Sequence, residues 1–260
     1  MDVEAYLDRI AYTGPREQTP ETLHQLHRTH LLAVPFENLD IALGNRISID
    51  LPLFFDKIVG RKRGGFCYEL NGLFAWLLRQ LGFPVTLLSA RVGPAESPGA
   101  EFDHLILMVG DKNPMVADVG FGDAFLEPLS LDPDVNTHTG QHRLVRTDAD
   151  WQMQKLQDSS WKCQYTFSLV PRQLNDFGNM CHHHQTSSGS HFTQKSTCTL
   201  PVERGRITLS GNRLIKTSGE RRTETNIDDA TECRALLKTR FGFDLEEDAN
   251  VEMILNPPPG

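Results

Sequence analysis

The stretch Arg63-Gly-Gly-Phe-Cys67-Tyr-Glu-Leu-Asn71-Gly-Leu-Phe-Ala-Trp-Leu-Leu-Arg-Gln-Leu81 decides the fold of the first third of this chain. From Cys67 onward its apolar side chains recur at helical spacing, and Gly82 and Pro84 end the pattern. We therefore predict a helix over residues 67–81 that begins with a cysteine.

Cys67 lies at the predicted helix start, where free backbone N–H groups and the positive end of the helix favour a thiolate. The preceding Gly64 and Gly65 allow a sharp entry into the helix. They also leave room for an acyl group near backbone amides, which would hold the negative oxygen of a tetrahedral intermediate. A cysteine that only packs the helix start is the alternative for Cys67 taken alone. All five cysteines of the chain stand far apart without a CxxC pair, so we expect free thiols rather than disulfides.

His104 and Asp118 lie in two short apolar runs that predict neighbouring strands. Their separation of 14 residues is even, so a loop centred on Asp111 would set them directly opposite each other on one face of the sheet. An aspartate in an apolar strand needs a partner for its charge, and an imidazole is suitable. Taken alone, His104 is either a buried hydrogen-bonded residue or a site residue. With Cys67 and Asp118 it completes the residue types of a nucleophile, a base and an orienting carboxylate.

Helices are predicted in residues 1–85 and strands beyond them. Thr19 suits a helix cap, Pro20 suits a first helical residue, and the stripe that follows at helical spacing includes His27. After residue 84, short apolar runs bounded by turn residues predict antiparallel strands, with a hairpin turn at Gly211-Asn212. These strands cover residues 85–92, 104–109, 115–119, 163–170 and 206–216.

The remaining segments are more polar. We expect a long surface connection over residues 173–198, a helix over residues 229–240 and a loose tail over residues 256–260. No internal repeat and no βαβ alternation is present in the sequence, so the pattern favours an α+β fold with a largely antiparallel sheet.

Composition and charge exclude several classes of protein. Hydrophobic residues make up 39% of the chain, which excludes disorder as its main state. A formal charge of -8 repels phosphate backbones and anionic lipid, so we expect no nucleic-acid partner. No apolar run approaches the roughly 18 residues of a membrane span. Met1-Asp2-Val3-Glu4 also lacks the basic start of a signal peptide, and we expect a soluble cytoplasmic protein without a membrane partner.

Four segments of the chain together resemble the arylamine N-acetyltransferase family. Val34-Pro-Phe-Glu-Asn-Leu-Asp40 is similar to the family's N-terminal segment. The family's three signature segments are matched in order by residues 63–71, Asp103-His104 and Asp118-Val-Gly-Phe-Gly122. Each piece alone would match by chance, but four in sequence should not. The likeness runs from near residue 6 to at least Val170, and more weakly through Ser188–Phe192 and the final helix.

The resemblance implies a fold and a division of roles. The fold would be cysteine-proteinase-like, with a helical domain over residues 1–84, an antiparallel β-barrel over residues 85–190 and a C-terminal α/β lid over residues 191–260. Carried over by position, the resemblance makes Cys67 the acyl-accepting nucleophile, His104 its base and Asp118 the group that orients the histidine.

The resemblance also implies an activity. It is ping-pong transfer of an acetyl group from acetyl-CoA to aromatic amines, arylhydrazines or hydroxylamines, with acetyl-CoA as co-substrate and no tightly bound cofactor. By position, Asp103, Gly120 and Gly122 are expected to contact the coenzyme. Phe36 and Phe121 are expected to line the acceptor pocket. We expect a monomer or a homodimer.

Two clusters of residues, one of possible metal ligands and one of positive charges, are predicted to have no binding role. Four contiguous ligands in Cys181-His182-His183-His184 cannot converge on one ion without a sharply kinked backbone, and no second ligand pair has zinc spacing, so we expect no metal site. The family's coenzyme site borders this region, and the contacts there stay open. Arg61-Lys62-Arg63 is interpreted as a solvated turn rather than a phosphate clamp.

Three other functions are alternatives. A cysteine peptidase or transglutaminase-like enzyme uses the same residue types, but the chain has no papain-type Cys-Gly-Ser-Cys-Trp segment. Only 37 residues separate Cys67 from His104, against about 130 or more in papain-type enzymes. An amide synthase that closes a macrolactam from a carrier-bound polyketide shares the acyl chemistry. A catalytically dead binding module is the non-enzymatic alternative, and the three intact residues argue against it.

Overall fold

The structure of this protein is a computed structural model, which describes residues 1–123, 125–132, 138–148, 150–219 and 221–256. The predicted tail therefore lies outside the described residues from position 257 onward. The α-helices of the described residues are α1 (Val3–Arg9), α2 (Pro20–Ala33), α3 (Leu39–Ala42), α4 (Leu51–Phe55), α5 (Cys67–Gln80), α6 (Gly178–Thr186), α7 (His191–Gln194), α8 (Ala230–Leu236) and α9 (Glu252–Leu255). Their strands are β1 (Phe36–Glu37), β2 (Val85–Val92), β3 (His104–Val109), β4 (Met115–Ala117), β5 (Leu129–Ser130), β6 (His138–Thr139), β7 (His142–Arg146), β8 (Trp151–Gln157), β9 (Ser160–Phe167), β10 (Thr197–Val202), β11 (Gly205–Ser210), β12 (Arg213–Ser218) and β13 (Arg221–Asn226).

The chain divides into two compact units. One consists of Met1–Ala11, Thr29–Phe66 and Gly178–Gly260, and the other of Tyr12–Arg28 and Cys67–Phe177. The predicted boundaries of three domains, at residues 84 and 190, stay a prediction.

The second unit is built on an antiparallel sheet in the order β5-β4-β3-β2-β9-β8-β7-β6. Strand β5 also contacts β7, so the sheet curls into a barrel. Leu88, Ile106 and Met153 are among the side chains that fill its interior, and α5 packs against β2 and β3. The predicted α+β fold with a central antiparallel barrel is confirmed, as are the bounds of β2 and β3.

The first unit carries a five-stranded antiparallel sheet in the order β1-β10-β11-β12-β13. Its core includes Leu209, Leu237 and Ile254. The hairpin turn predicted at Gly211-Asn212 joins β11 to β12, and the ladder registers Ser210 against Arg213.

A buried cluster of four charges lies in the first unit and corrects the interpretation of Arg63 as part of a solvated turn. The Arg63 guanidinium bonds to Glu37 Oε1 at 2.8 Å and to Asp40 Oδ1 at 3.2 Å. Lys57 Nζ lies 2.7 Å from Asp40 Oδ2. The two cations and two anions neutralise each other, which is how charges become tolerable in a protein interior. Gly64 lies against this cluster, because a Cβ there would stand 2.9 Å from Cγ of Glu37 and 2.0 Å from the carbonyl oxygen of Pro35.

Helix ends follow the sequence signals closely. Thr19 Oγ1 accepts a hydrogen bond from the backbone N–H of Thr22 at 3.2 Å, which confirms the predicted cap of α2. Helix α5 ends at Gln80, and Gly82 follows with a φ of +87°. None of the helices in the described residues has the length and hydropathy needed to cross a membrane.

Several segments differ from the predictions. Residues 173–198 are not a long connection, because a 3-10 turn (Leu174–Phe177), α6 and α7 occupy most of this segment. Polar helices of this kind lack the apolar periodicity that would reveal them in sequence. Strands β6 to β8 differ from the prediction of no strand over residues 138–157, and β7 and β8 are rich in long polar side chains such as Arg143 and Gln154. The last predicted helix continues from α8 through a π-helical turn, Leu237–Phe241, to Gly242.

Candidate active site

Cys67 is the first residue of α5 and is 3% exposed. The first N–H groups of a helix have no intrahelical acceptor, so they present partial positive charge at this end. Cys67 carries no disulfide. Its position at a helix start is one at which backbone dipoles favour the thiolate.

Two side chains of the first turns of α5 attach it to the residues on either side of His104. The Tyr68 hydroxyl donates to the carbonyl oxygen of Phe102 at 2.8 Å. Asn71 Nδ2 donates to the carbonyl oxygen of Leu105 at 2.6 Å. Because Asn71 lies one turn after Cys67, the same helix face carries both residues. These bonds fix the start of α5 against the start of β3.

Gly120 fits directly under this helix. A Cβ at this position would lie 2.8 Å from the Cα of Cys67, 3.0 Å from its carbonyl oxygen and 2.6 Å from Asn71 Nδ2. No side chain has room there, so the glycine is what allows the segment after Asp118 to contact the cysteine backbone.

His104 and Asp118 form a hydrogen-bonded pair, with Nε2 of His104 2.8 Å from Oδ2 of Asp118. Both side chains lie on the barrel-interior face, since Ile106 and Val116, two residues from each, belong to the interior core.

The predicted register of this pair was wrong. Leu107 pairs with Ala117, so the turn is centred on Lys112 rather than Asp111, and continuing the ladder would place Ile106, not His104, opposite Asp118. The shift is an even number of residues, so the pair stays on one face and meets diagonally.

Asp118 uses every acceptor position of its carboxylate. Oδ1 accepts from Asn71 Nδ2 at 2.9 Å and from the Gly120 amide at 3.0 Å. Oδ2 accepts from His104 and from the Tyr165 hydroxyl, the latter at 3.1 Å. Burial alone would raise the pKa of Asp118, but the charge of His104 and the bonds from His104, Asn71 and Gly120 outweigh it and lower that pKa. Asp118 is therefore a fixed, buried anion.

His27 holds the backbone of Asp118. The amide of Asp118 donates to Nε2 of His27 at 3.1 Å, so the proton of a neutral ring lies on Nδ1, which is 3.2 Å from the carbonyl oxygen of Leu126. Burial lowers the pKa of His27 to about 4, which keeps the ring neutral near pH 7. Its ring stacks on Phe125 at a centroid distance of 5.7 Å. His27 therefore has two roles: it lies on the stripe of α2 found in the sequence, and its ring bonds to the backbone of Asp118 in the site.

Aromatic rings surround the imidazole. The Phe121 ring lies 5.3 Å from the ring of His104 and 5.3 Å from that of Tyr165, and Tyr165 lies 5.4 Å from His104. In the other unit, Phe36 lies 6.3 Å from Phe192. Of the residues expected to line an acceptor pocket, Phe121 is thus beside the imidazole, and Phe36 belongs to an aromatic group of the first unit.

The three residues expected to contact the coenzyme lie near the pair in sequence. Asp103 directly precedes His104, and its carbonyl oxygen accepts from the Tyr68 hydroxyl at 3.3 Å. Gly120 has the packing role described above, and Gly122 follows Phe121. Contacts of these residues with a coenzyme stay a prediction.

The Cys181–His184 segment forms part of α6. The Cys181 thiol lies 3.8 Å from the carbonyl oxygen of Ile47, and the His184 ring meets Phe192 edge-on at 5.0 Å. Within the described residues, no three His, Cys, Asp or Glu side chains are placed to hold one metal ion.

Sequence reasoning missed three residues of the site. Asn71 belongs to the quoted motif, and its spacing of one helical turn from Cys67 was the available signal. Tyr165 comes from β9, which joins β2 by a long-range pairing that no local pattern reveals. His27 was recognised only as a member of a helix stripe.

A cysteine that begins a helix, and a buried His–Asp pair bonded to Asn71 of the same helix, are the residue types shared by thiol-dependent acyl-transfer enzymes and cysteine peptidases. Comparison with known proteins separates the two. A family model described as N-acetyltransferase matches residues 19–250. The arylamine N-acetyltransferase, pineal gland isozyme NAT-3, of Gallus gallus is 36% identical over 242 residues, which cover 83% of each chain. The chain belongs to the arylamine N-acetyltransferase family, and the resemblance found in the sequence is confirmed.

Solved structures agree with this assignment. The arylamine N-acetyltransferase of M. smegmatis superposes with a TM-score of 0.90 at 30% identity, covering 98% of this chain and 97% of the other. The arylamine N-acetyltransferase of Mycobacterium marinum in complex with CoA superposes with a TM-score of 0.85 at 31% identity, covering 93% of each chain.

Proposed function

We propose that this chain is an arylamine N-acetyltransferase that transfers an acetyl group from acetyl-CoA to Cys67 and then to an aromatic amine, arylhydrazine or hydroxylamine. The observation that carries the proposal is the 2.8 Å hydrogen bond between His104 and Asp118. Asn71, on the helix that Cys67 begins, bonds to Asp118 and so joins this pair to the helix. The names of the relatives and the coenzyme bound by the M. marinum protein support the choice of substrates.

In the first half-reaction, the proton of Cys67 passes to His104 and the thiolate attacks the carbonyl carbon of acetyl-CoA. A carbon–sulfur bond forms, and the carbonyl electron pair moves onto oxygen, where helix-start N–H groups stabilise it. Collapse of this intermediate breaks the bond to the coenzyme sulfur. The coenzyme leaves as a thiol after taking the proton from His104, and Cys67 remains as a thioester.

In the second half-reaction, the acceptor nitrogen attacks the acetyl carbon of this thioester. His104 takes the proton that the nitrogen loses, the carbon–sulfur bond breaks, and Cys67 leaves as a thiolate. Arylamines suit this step because they are weak bases that remain neutral near pH 7, whereas alkylamines are mostly protonated. Asp118 stays ionised throughout, since its hydrogen bonds lower its pKa, and it stabilises the imidazolium form of His104.

The proposal extends to the surroundings of the triad. Phe121 would contact the acceptor ring beside the imidazole, with Phe36 as a further pocket residue, and Asp103, Gly120 and Gly122 would contact the coenzyme. We place the protein in the cytoplasm as a monomer or homodimer without a nucleic-acid partner. Support for this compartment comes from five cysteines that form no disulfide.

The test follows acetyl transfer to the sulfur directly. Incubation of the full chain with acetyl-CoA alone should add one acetyl group by intact mass, located at Cys67 by peptide mapping, and an arylamine should then remove it. Cys67→Ala should abolish labelling and turnover. The matched control is Cys163→Ser, a half-buried thiol on β9, which should keep both.

Two outcomes would overturn the proposal. Appreciable turnover in Cys67→Ala would show that the nucleophile is another residue. Absence of labelling in the wild-type chain would favour a peptidase, or, if a carrier-protein thioester labels Cys67 instead, an amide synthase.

A further inference from the structure

Phe102, two residues before His104, has a backbone conformation that its residue type rarely adopts. Its φ angle is +67°, in the left-handed region, where the side chain of an L-residue crowds the following carbonyl group. Asparagine and aspartate are several-fold enriched among the non-glycine residues found there, whereas a bulky residue is an outlier. Such a conformation persists only where the surrounding structure holds it, and residues of this kind cluster at functional sites.

Hydrogen bonds to the backbone of Phe102 hold this conformation from two sides. Its N–H donates to Oγ of Ser89, a buried residue of β2, at 2.7 Å. Its carbonyl oxygen accepts from the Tyr68 hydroxyl at 2.8 Å. Ser89 pairs with Leu105 in the β2–β3 ladder, and Tyr68 directly follows Cys67 in α5. Phe102 therefore joins the strand that carries the imidazole to the helix that begins with the thiol.

The ring of Phe102 is held as well. It meets the Phe177 ring edge-on at a centroid distance of 5.3 Å, and the guanidinium carbon of Arg172 lies 5.0 Å from its centroid. Phe177 also packs against the Tyr68 ring at 5.7 Å. Because different neighbours fix the ring and the backbone, Phe102 cannot relax to an ordinary conformation without losing several contacts.

The position of Phe102 in the chain gives its conformation a consequence for the site. The β2–β3 ladder ends at the pair of Ala90 with His104, so the chain just before the imidazole is placed by the contacts of Phe102 rather than by strand pairing. We propose that Phe102 is a positioning residue, whose left-handed backbone sets where His104 lies relative to Cys67 and thereby the proton transfer between them. The proposal rests on the proposed function, which gives His104 and Cys67 their roles.

The experiment compares Phe102→Leu with Phe102→Asn. Both changes remove the ring and its contacts, and the two new side chains are similar in size. Leucine keeps more of the apolar packing, whereas asparagine tolerates a left-handed backbone far better. A displacement approaching 1 Å at a reacting group lowers the rate by up to roughly a hundredfold. Phe102→Leu should therefore be about tenfold to a hundredfold slower than wild type, and Phe102→Asn should keep several times the rate of Phe102→Leu.

Two rates of Cys67 modification are measured. Single-turnover acetylation is followed by intact mass at saturating acetyl-CoA, so that a change in coenzyme affinity does not enter the comparison. Alkylation by iodoacetamide at neutral pH reports the same thiol without coenzyme. Both rates should rank wild type first, Phe102→Asn second and Phe102→Leu last. Equal rates in the two variants, or the reverse order, would show that the ring acts by packing alone and would overturn the proposal.

Ser159→Leu is the matched control. Ser159 also has a left-handed backbone, with a φ angle of +62°, and lies exposed in the turn between β8 and β9. Leucine there places the same side chain in the same backbone region away from His104, so this variant should lose stability in a denaturant titration and keep both rates. A loss of rate as large as that of Phe102→Leu would reveal a general effect of destabilisation and would contradict a positioning role.

Tyr68→Phe covers the case in which the Phe102 variants do not fold. This change removes the hydroxyl that bonds to the Phe102 carbonyl oxygen and keeps the ring beside Phe177. It should slow both rates by about twofold to tenfold, the effect of one hydrogen bond. Wild-type rates in Tyr68→Phe would refute the proposal. Alkylation needs no acetyl-CoA, so a wild-type chain that fails to accept acetyl but shows the predicted order of variants would overturn the proposed function alone.

Discussion

Gly120→Ala tests whether close approach of the segment after Asp118 to the start of α5 is needed for activity. The φ angle of Gly120 is not in the left-handed region, so alanine brings no backbone strain and the effect is steric. The added Cβ would stand 2.8 Å from the Cα of Cys67 and 3.0 Å from its carbonyl oxygen. Both atoms belong to the backbone of a packed helix and cannot rotate away.

The size of the displacement follows from these distances. Favourable carbon–carbon contacts begin at about 3.5 Å, so helix and segment must separate by roughly 0.7 Å. Overpacking of this kind costs about 1–3 kcal/mol of stability. A misplacement approaching 1 Å at a reacting group lowers the rate by up to roughly a hundredfold. We therefore expect Gly120→Ala to fold and to lose about tenfold to a hundredfold in kcat/KM.

The assay measures the rate of coenzyme release in the presence of an arylamine acceptor, and a denaturant titration measures stability. Both measurements compare Gly120→Ala with Gly178→Ala. Gly178 begins α6, and a Cβ there would meet nothing within 4 Å, so the control should keep its activity and its stability. A Gly120→Ala protein with wild-type kcat/KM would refute the reasoning. So would a loss of activity no larger than that of the control.

Three further predictions concern charge and titration. Arg63→Ala leaves two buried carboxylates short of a cation and should lower the free energy of unfolding by about 3–5 kcal/mol. Arg61→Ala removes two exposed ion pairs, with Asp56 and Glu246, and should cost less than about 1 kcal/mol. Because the pKa of Asp118 is lowered by folding, its carboxylate stabilises the protein above its ordinary pKa and ceases to do so as the pH falls through the folded value. The difference in unfolding free energy between wild type and Asp118→Ala should thus shrink below about pH 4 in urea titrations. Burial raises the pKa of Cys198 well above the ordinary value, so peptide mapping after native alkylation near pH 8 should find Cys67 modified and Cys198 unmodified, a pattern that denaturation should abolish.

Local patterns predicted the elements that carry the site. Helix α5 was predictable because its apolar stripe, its glycine stop and its cysteine start are all short-range signals. Strands β2 and β3 were predictable for the same reason, as apolar runs between turn residues. The face shared by His104 and Asp118 followed from an even separation, but their register did not, since the centre of a turn of this length has no unique sequence signal.

Long-range contacts explain what was missed. Tyr165 comes close to Asp118 because β9 pairs with β2 on the edge opposite β3. The polar strands β7 and β8, which lie between these segments in the chain, hide this pairing in the sequence. Arg63 looked solvated because its partners lie more than 20 residues earlier in the chain. Such partners are visible only once the chain has folded.

The full occupancy of the Asp118 carboxylate restricts which residues evolution or design can place there. An asparagine has the same shape, but its amide nitrogen would have to face two donors whichever way the group is turned. Facing Asn71 and Gly120 it would oppose two N–H groups that cannot accept, and facing His104 and Tyr165 it would require the imidazole to change tautomer and the hydroxyl to turn from donor to acceptor. A site in which an amide orients the histidine needs an acceptor for the amide N–H groups. In this barrel interior the partners of position 118 would have to change before an aspartate-to-asparagine substitution could leave the protein's function unaffected.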